Sequence, residues 1–235
     1  MSLQPLILSI ETATTTGSIA VASGSLILSS KKGDGLSSHS NTLLSDIDDM
    51  LRHLDRRFEE IDFFAAAIGP GSFTGLRIGI ATIKALAMTA NRPCAGIPTL
   101  EAVARSAGEN LCVAATLLAG RGEVFAQLFS VSAEGRVTEI DQPAHLPPRE
   151  VLKKYQYLEN LCWAGEGAEA HKAEILAFDD EVLKAGKKWR IASDLTNLAE
   201  NVSALALQRS VTNELTSAEN LHAIYVRPSD AELKK

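Results

Sequence analysis

A chain of 235 residues, 46% of them hydrophobic, is long enough for one large domain or two small lobes around a buried core. Its formal net charge is −6 and no dense Lys/Arg block offsets it, which excludes a protein that grips nucleic acid through a phosphate-neutralising face of its own. The short basic clusters, Arg52/Arg56/Arg57 and Lys184/Lys187/Lys188, read as solvated surface.

The N-terminus, MSLQPLILSIETA, lacks the basic and apolar regions of a signal peptide. Cys94, Cys112 and Cys162 form no CxxC pair, which argues against a disulfide framework or structural zinc and fits a reducing compartment. The expectation is a cytoplasmic protein. LILSI then reads as a buried strand, SIAVAS as an alternating strand after a Thr/Gly turn, and SLILSS as a third strand after Gly24. Residues 40–54 place Leu43, Leu44, Ile47, Met50, Leu51 and Leu54 in one helical stripe, with Ser38 or Ser40 able to cap it.

FFAAAIG and PCAGIP supply two more strands, and between them a helix is expected from about Ser72 to Ala90. Its wheel sets Leu76, Ile80, Ile83 and Ala87 on one side, with Ile78 and Ala85 nearly opposite. Such a helix wants burial on two sides, either wholly in its own lobe or partly against a second protein. Arg77 and Lys84 break the apolar run, so no span is expected to cross a bilayer.

The segment 111–140 repeats the opening plan: LCVAATLLA, then EVFAQLFSV, then GRVTEI, with Gly122 aligned to Gly17. Beyond residue 150, LCWAGEGAEAHKAEIL reads as strand, turn and helix. SDLTNLAENVSALALQRSV reads as a helix with Leu198, Val202 and Leu205 inward, and the charged end is expected to be mobile.

Two loops invite a chemical reading. GPGSFTG has no Gly-Lys-Ser/Thr for a Walker A loop, sets its third glycine one residue late for GxGxxG, and has Phe73 where a nucleophile elbow needs serine. ETATTTG collects Glu11, Thr12, Thr14, Thr15, Thr16 and Gly17 into a polar hairpin whose hydroxyls and N–H groups could face an anion, although Thr-rich turns are common.

In sequence order, LILSIETATTTGSIAV, HSNTLL, GPGSFTGLRIGIATIKALA, GIPTLEA and AGRGEVFAQLF, with IYVRP near the end, resemble the bacterial TsaB (YeaZ) family. That resemblance implies an α/β fold of two duplicated lobes of the actin/Hsp70/sugar-kinase (ribonuclease H-like) type, each a mixed sheet with flanking helices. It implies an N-terminal lobe over residues 1–105, completed by 194–225, and a C-terminal lobe over 106–193. It further implies a non-catalytic scaffold that binds and activates a TsaD-type enzyme, with a TsaE-type ATPase, in making N6-threonylcarbamoyladenosine at tRNA position 37. A homodimer is expected for the chain alone, with tRNA touched at most indirectly and no membrane.

The catalytic relative carries a His-x-x-x-His metal pair where this chain has Thr99 and Val103, and the five histidines (His39, His53, His145, His171, His222) are scattered. No metal site and no metallopeptidase activity are expected. Leu118 stands where an Asp of the second phosphate hairpin is usual, with Glu123 on the next strand and GEGAEA (165–170) as a remnant adenosine loop or a simple helix start. ATP or ADP is therefore expected to be held weakly, or at an interface, with Glu11, Thr12, Thr14, Thr15 and Gly17 as a vestigial phosphate site. The alternative is an independent ATPase or phosphotransferase using Glu11. Gly69, Gly71 and Gly75 are read as structural, letting the chain pass from strand to helix. The partner surface is assigned to Leu43, Ile47, Leu76, Arg77, Ile80, Ala81, Lys84 and Met88.

Overall fold

The structure, a computed structural model, describes residues 4–33, 39–182, 188–192 and 197–226. The chain divides into two units: one runs to Ala102 and takes back the late segment ending at Ile224, and the other begins at Val103.

In the first unit, β1 (Leu6–Glu11), β2 (Ser18–Ser23) and β3 (Leu26–Lys32) form an antiparallel meander. Helix α1 (His39–His53) leads to β4 (Phe63–Gly69), parallel to β1, and α2 (Phe73–Ala90) leads to β5 (Cys94–Pro98), parallel to β4. The sheet order is β3-β2-β1-β4-β5, and α3 (Thr99–Ser106) follows. β1 is buried at every position because both faces of the sheet are covered, which is why four of its six residues are aliphatic and its Ser9 and Glu11 side chains are hydrogen-bonded within the chain. Leu6, Leu8 and Ile10 join Leu43, Ile47, Leu76, Ile80 and Ile83 of α1 and α2 in one core. On the other face lies the helix Leu198–Val211, whose small Ala199, Ser203 and Ala206 are buried; the Ser9 and Ser203 hydroxyls meet at 2.6 Å. Arg209 of that helix pairs with Glu101 at 2.8 Å and donates to the Gly96 carbonyl.

The second unit holds β6 (Asn110–Gly120), β7 (Glu123–Val131), β8 (Val137–Glu139), β9 (Ala144–Leu146), α4 (Pro148–Tyr155), β10 (Asn160–Ala164), α5 (Glu166–Ala170), α6 (Lys172–Val182) and β11 (Lys188–Ile191). Its order β8-β7-β6-β10-β11 repeats the first sheet, with the first two pairings antiparallel and the last two parallel. Gly17 and Gly122 each precede the second strand of their sheet at positive φ, +62° and +76°. The duplication read from the Gly17/Gly122 alignment is thus present in the topology. Helix Leu198–Val211 is α7.

Several expectations change. Leu44 is 62% exposed, because the buried arc of α1 is narrower than the stripe and Leu44 lies at its edge. α7 begins at Leu198, where the Asn197 side chain accepts the Ala199 N–H at 3.1 Å, and Leu198 itself is only half-buried, while Val202 and Leu205 are inward as expected. α3, α4, β9 and β11 have no counterpart among the elements expected from sequence. α2 is, by length and composition, apolar enough to cross a membrane despite Arg77 and Lys84; here its inner face packs on its own sheet. The caps expected at Ser38 or Ser40, Lys184, Lys187 and the chain beyond residue 226 lie outside the described side chains.

Asp141 ties the second unit together. One carboxylate oxygen accepts the Leu128 N–H at 2.7 Å; the other accepts the Tyr155 O–H at 2.9 Å and meets the Lys154 ammonium at 2.7 Å. Burial, and then the Asp141 charge, push the Tyr155 phenol well above its ordinary range. A phenol held protonated when folded but free to ionise when unfolded contributes stability that is whole below about pH 10 and lost as the pH rises above it. The urea midpoint of the parent should therefore fall between about pH 9 and about pH 11 more steeply than that of Tyr155→Phe. At neutral pH that variant should be about 1 kcal/mol less stable from the lost hydrogen bond. Parallel pH curves would show that Tyr155 is not the group responsible.

Candidate functional site

The β1–β2 hairpin and the β4–α2 loop lock into each other. Ser72 N–H donates to the Ala13 carbonyl at 2.7 Å, and the Thr12 hydroxyl donates to the Gly75 carbonyl at 2.7 Å. Ser72 caps α2 by accepting the Gly75 N–H at 3.2 Å. A Cβ on Gly75 would run into the Thr12 carbonyl, one on Gly79 into the Thr12 hydroxyl, and one on Gly71 into the Ala13 carbonyl. Gly69, at φ +115°, donates its N–H to the Thr99 hydroxyl at 3.0 Å and faces the Ile224 carbonyl, while Ile224 N–H donates to the Ile68 carbonyl. GPGSFTG is thus a close-packed joint.

The same packing determines what Glu11 can do. Its side chain is buried, and its carboxylate accepts both the N–H and the hydroxyl of Thr14 at 2.7 Å, with the Ser18 hydroxyl at 3.5 Å. The Ser18 hydroxyl in turn accepts the Ala199 N–H of α7 at 3.1 Å. Glu11, Thr12 and Thr14, expected as phosphate contacts, are therefore engaged in holding the hairpin's own shape. Thr15 is exposed at its tip, and Gly17 supplies the positive φ of the turn.

Beside the hairpin a cleft of about 240 Å³ opens between it, the end of β3 and the first half of α1. It is lined by Thr12, Thr16, Gly17, Ser18 and Ile19, by Lys31, Lys32 and Gly33, and by Thr42, Leu43 and Asp46. Lys31 pairs with Asp46 at 2.6 Å. Lys31, Lys32, Thr42 and Asp46 escape a reading of the sequence because they are scattered over two elements; the one signal is a lysine pair closing a strand.

Of the expected partner residues, Leu43, Ile47, Leu76 and Ile80 are between 1% and 8% exposed. They belong to the core against β1 and β2, which removes their side chains from any docking surface as it stands. Arg77, Ala81, Ala85 and Met88 form the outer face of α2, with Met88 65% exposed and the Arg77 guanidinium over the Phe73 ring. Lys84 is half-buried and its ammonium donates to the Glu219 carbonyl at 3.3 Å.

In the second unit Leu118 is 39% exposed, and its N–H faces the Glu166 carboxylate at 3.4 Å. Thr99 is an acceptor for the joint and Val103 is buried, so neither position of the absent histidine pair offers a metal ligand. Among the described residues no three His, Cys, Asp or Glu side chains converge in a way that could hold a metal. Burial pushes the Cys94 and Cys162 thiols up, away from thiolate chemistry.

A model of the tRNA N6-adenosine threonylcarbamoyltransferase (TsaD) family matches residues 34–230. The tRNA threonylcarbamoyladenosine biosynthesis protein TsaB of Escherichia coli K12 is 28% identical over 192 residues, 80% of each chain. YeaZ from Pseudomonas aeruginosa superposes with a TM-score of 0.76 at 25% identity, covering 94% of this chain and 99% of that one. Component A of the (R)-2-hydroxyglutaryl-CoA dehydratase of Acidaminococcus fermentans shares the fold at 10% identity, with a TM-score of 0.52 over 88% of this chain and 100% of its own.

The joint separates two kinds of glycine. Gly122 sits at φ +76° with open space within 4 Å of where a methyl would stand, so Gly122→Ala should cost only the left-handed backbone, about 1–2 kcal/mol. Gly75→Ala must push the Thr12 backbone aside and should cost more than about 3 kcal/mol or leave no folded chain. Urea unfolding of the pair checks this; equal losses would mean that the hairpin can yield.

Proposed function

The chain belongs to the TsaB (YeaZ) family of tRNA threonylcarbamoyladenosine biosynthesis, and on that footing we propose that it performs no chemistry of its own but binds and activates a TsaD-type enzyme modifying tRNA position 37. The observation that carries this reading is the outer face of α2. Arg77, Ala81, Ala85 and Met88 recur at helical spacing on a surface of small and apolar side chains that the unit's own core leaves uncovered. The helix beneath that face is anchored at its start by the joint, which suits a surface that must be presented rigidly. Thr99 and Val103, in place of a metal-binding histidine pair, support a non-catalytic role.

The partner is a protein of the same fold, so the surface should also pair two copies of this chain when the enzyme is absent. A TsaE-type ATPase completes the assembly, and tRNA is contacted mainly through the enzyme, in keeping with the net charge of −6. No nucleotide is held tightly by this chain alone. The competing reading, an independent ATPase, relies on Glu11, whose carboxylate is engaged by Thr14.

Ala81→Arg and Met88→Glu should weaken association with the TsaD-type enzyme by about a hundredfold, since a charge would be desolvated at the centre of the contact. Thermal melting of the chain alone should be unchanged. Light scattering on the mixed proteins and tRNA modification in the reconstituted system provide the readings. Full modification with a broken complex would overturn the proposal.

A further inference from the structure

We propose that Met88 is a reversible oxidation site, and that its sulfoxide switches off association through the outer face of α2. The chain has three methionines and three cysteines, and the structure sorts their sulfurs by access to an oxidant. Met50 is 6% exposed, packed in the core of the first unit, whereas Met88 is 65% exposed. Cys94 and Cys162 are buried and Cys112 is half-buried. Burial pushes all three thiols up, away from the thiolate form that a peroxide attacks. Met1 lies outside the described residues. Among the described residues, Met88 therefore carries the one sulfur that is both open to solvent and reactive without losing a proton.

The thioether also stands where oxidation is felt. Met88 shares the outer face of α2 with Arg77, Ala81 and Ala85, and it lines a groove of about 570 Å³. The groove lies between the end of α2 and residues 215–219, with Asn91 and Arg92 among its walls. The sulfur lone pair takes one oxygen from hydrogen peroxide: an S–O bond forms, the O–O bond breaks and water leaves. The thioether is oxidised by two electrons and the peroxide is reduced by two. No charge is added, but a flexible apolar side chain becomes a polar one carrying a strong acceptor. On the free chain water satisfies that acceptor, and Asn91 and Arg92 bring donors to the same groove. Under a docked partner it would be buried against apolar side chains, so the oxidised chain stays apart. Conversely, a docked partner covers Met88 and slows its oxidation. Selective oxidation depends only on the surface of the first unit, whereas the block rests on the partner role proposed above.

Mild treatment of the full chain with hydrogen peroxide tests both halves, read by peptide mass spectrometry and by light scattering with the TsaD-type enzyme. One added oxygen should appear at Met88 at least about tenfold faster than at Met50, with the melting temperature unchanged. Association of the treated parent should weaken about tenfold, and methionine sulfoxide reductases acting on both epimers should restore it. Premixing with the enzyme should slow the oxidation several-fold. In Met88→Leu, peroxide should leave unchanged whatever association that variant starts with, while Met50→Leu should respond as the parent does. If Met88→Leu associates too weakly to read, reversal by the reductases carries the test. Equal oxidation of Met50 and Met88, or undiminished association of a chain fully oxidised at Met88, would overturn the proposal. So would an equal loss on peroxide treatment in Met88→Leu, which would move the sensitive group elsewhere. Failure of the untreated parent to associate is seen before any peroxide is added; it would overturn the partner role, and the switch with it.

Discussion

The contact on which the first unit depends is the joint between Thr12–Ala13 and Ser72–Gly75. Two backbone-directed hydrogen bonds of 2.7 Å link segments 63 residues apart in one case and nearly as distant in the other. They form only because Gly71, Gly75 and Gly79 have no Cβ to meet the hairpin. Everything nearby takes its position from that approach. β1 and β4 must lie side by side, α2 must start at Phe73, just after its Ser72 cap, and run over β4, and the hairpin must fold its own carboxylate inward. A loop that looks like a phosphate cradle thus acts as a hinge pin, and its glycines serve backbone closeness inside one chain rather than room for a ligand.

Much of the fold is legible in the sequence because the signals are local and periodic. β1, β2, β4, α2 and the second hairpin declare themselves through buried runs, alternation and glycine turns, and the repeat of Gly17 at Gly122 signals the duplication, while the 3-2-1-4-5 order itself is visible only in the structure. What escapes is what depends on tertiary surroundings. α3 and α4 are eight residues each, too short for periodicity to stand out, and α4 opens on prolines that read as a break. β9 and β11 are three and four residues long, defined only by the strands they pair with. Leu44 shows the same limit inside a correctly read helix, since one step around the wheel separates a buried leucine from an exposed one.

The site is less legible, for a related reason. A helix apolar all round gives no sign of which face its own sheet will take, so Leu76 and Ile80 cannot be told from Ala81 and Met88 until the sheet is in place. For the hairpin, residue type suggests an anion and does not reveal that Glu11 satisfies itself on Thr14. Lys31, Lys32, Thr42 and Asp46 come to line one cleft only because α1 lies opposite the end of β3.

The two hairpins of this duplicated fold have diverged in opposite ways. The first turns the Glu11 carboxylate inward onto Thr14, while near the second Leu118 is exposed with its N–H facing Glu166. Neither arrangement presents a free carboxylate to a bound metal–phosphate group, yet both units retain the whole sheet order. Sheet order is maintained by burial and by joints such as Thr12–Gly75, which do not depend on chemistry at the hairpin tips. The place of α2 therefore does not depend on which groups stand at the hairpin tips. For a protein whose proposed work is to present the outer face of that helix, the inward turn of Glu11 is an advantage. The carboxylate that could have placed a metal instead stiffens the hairpin against which α2 is anchored.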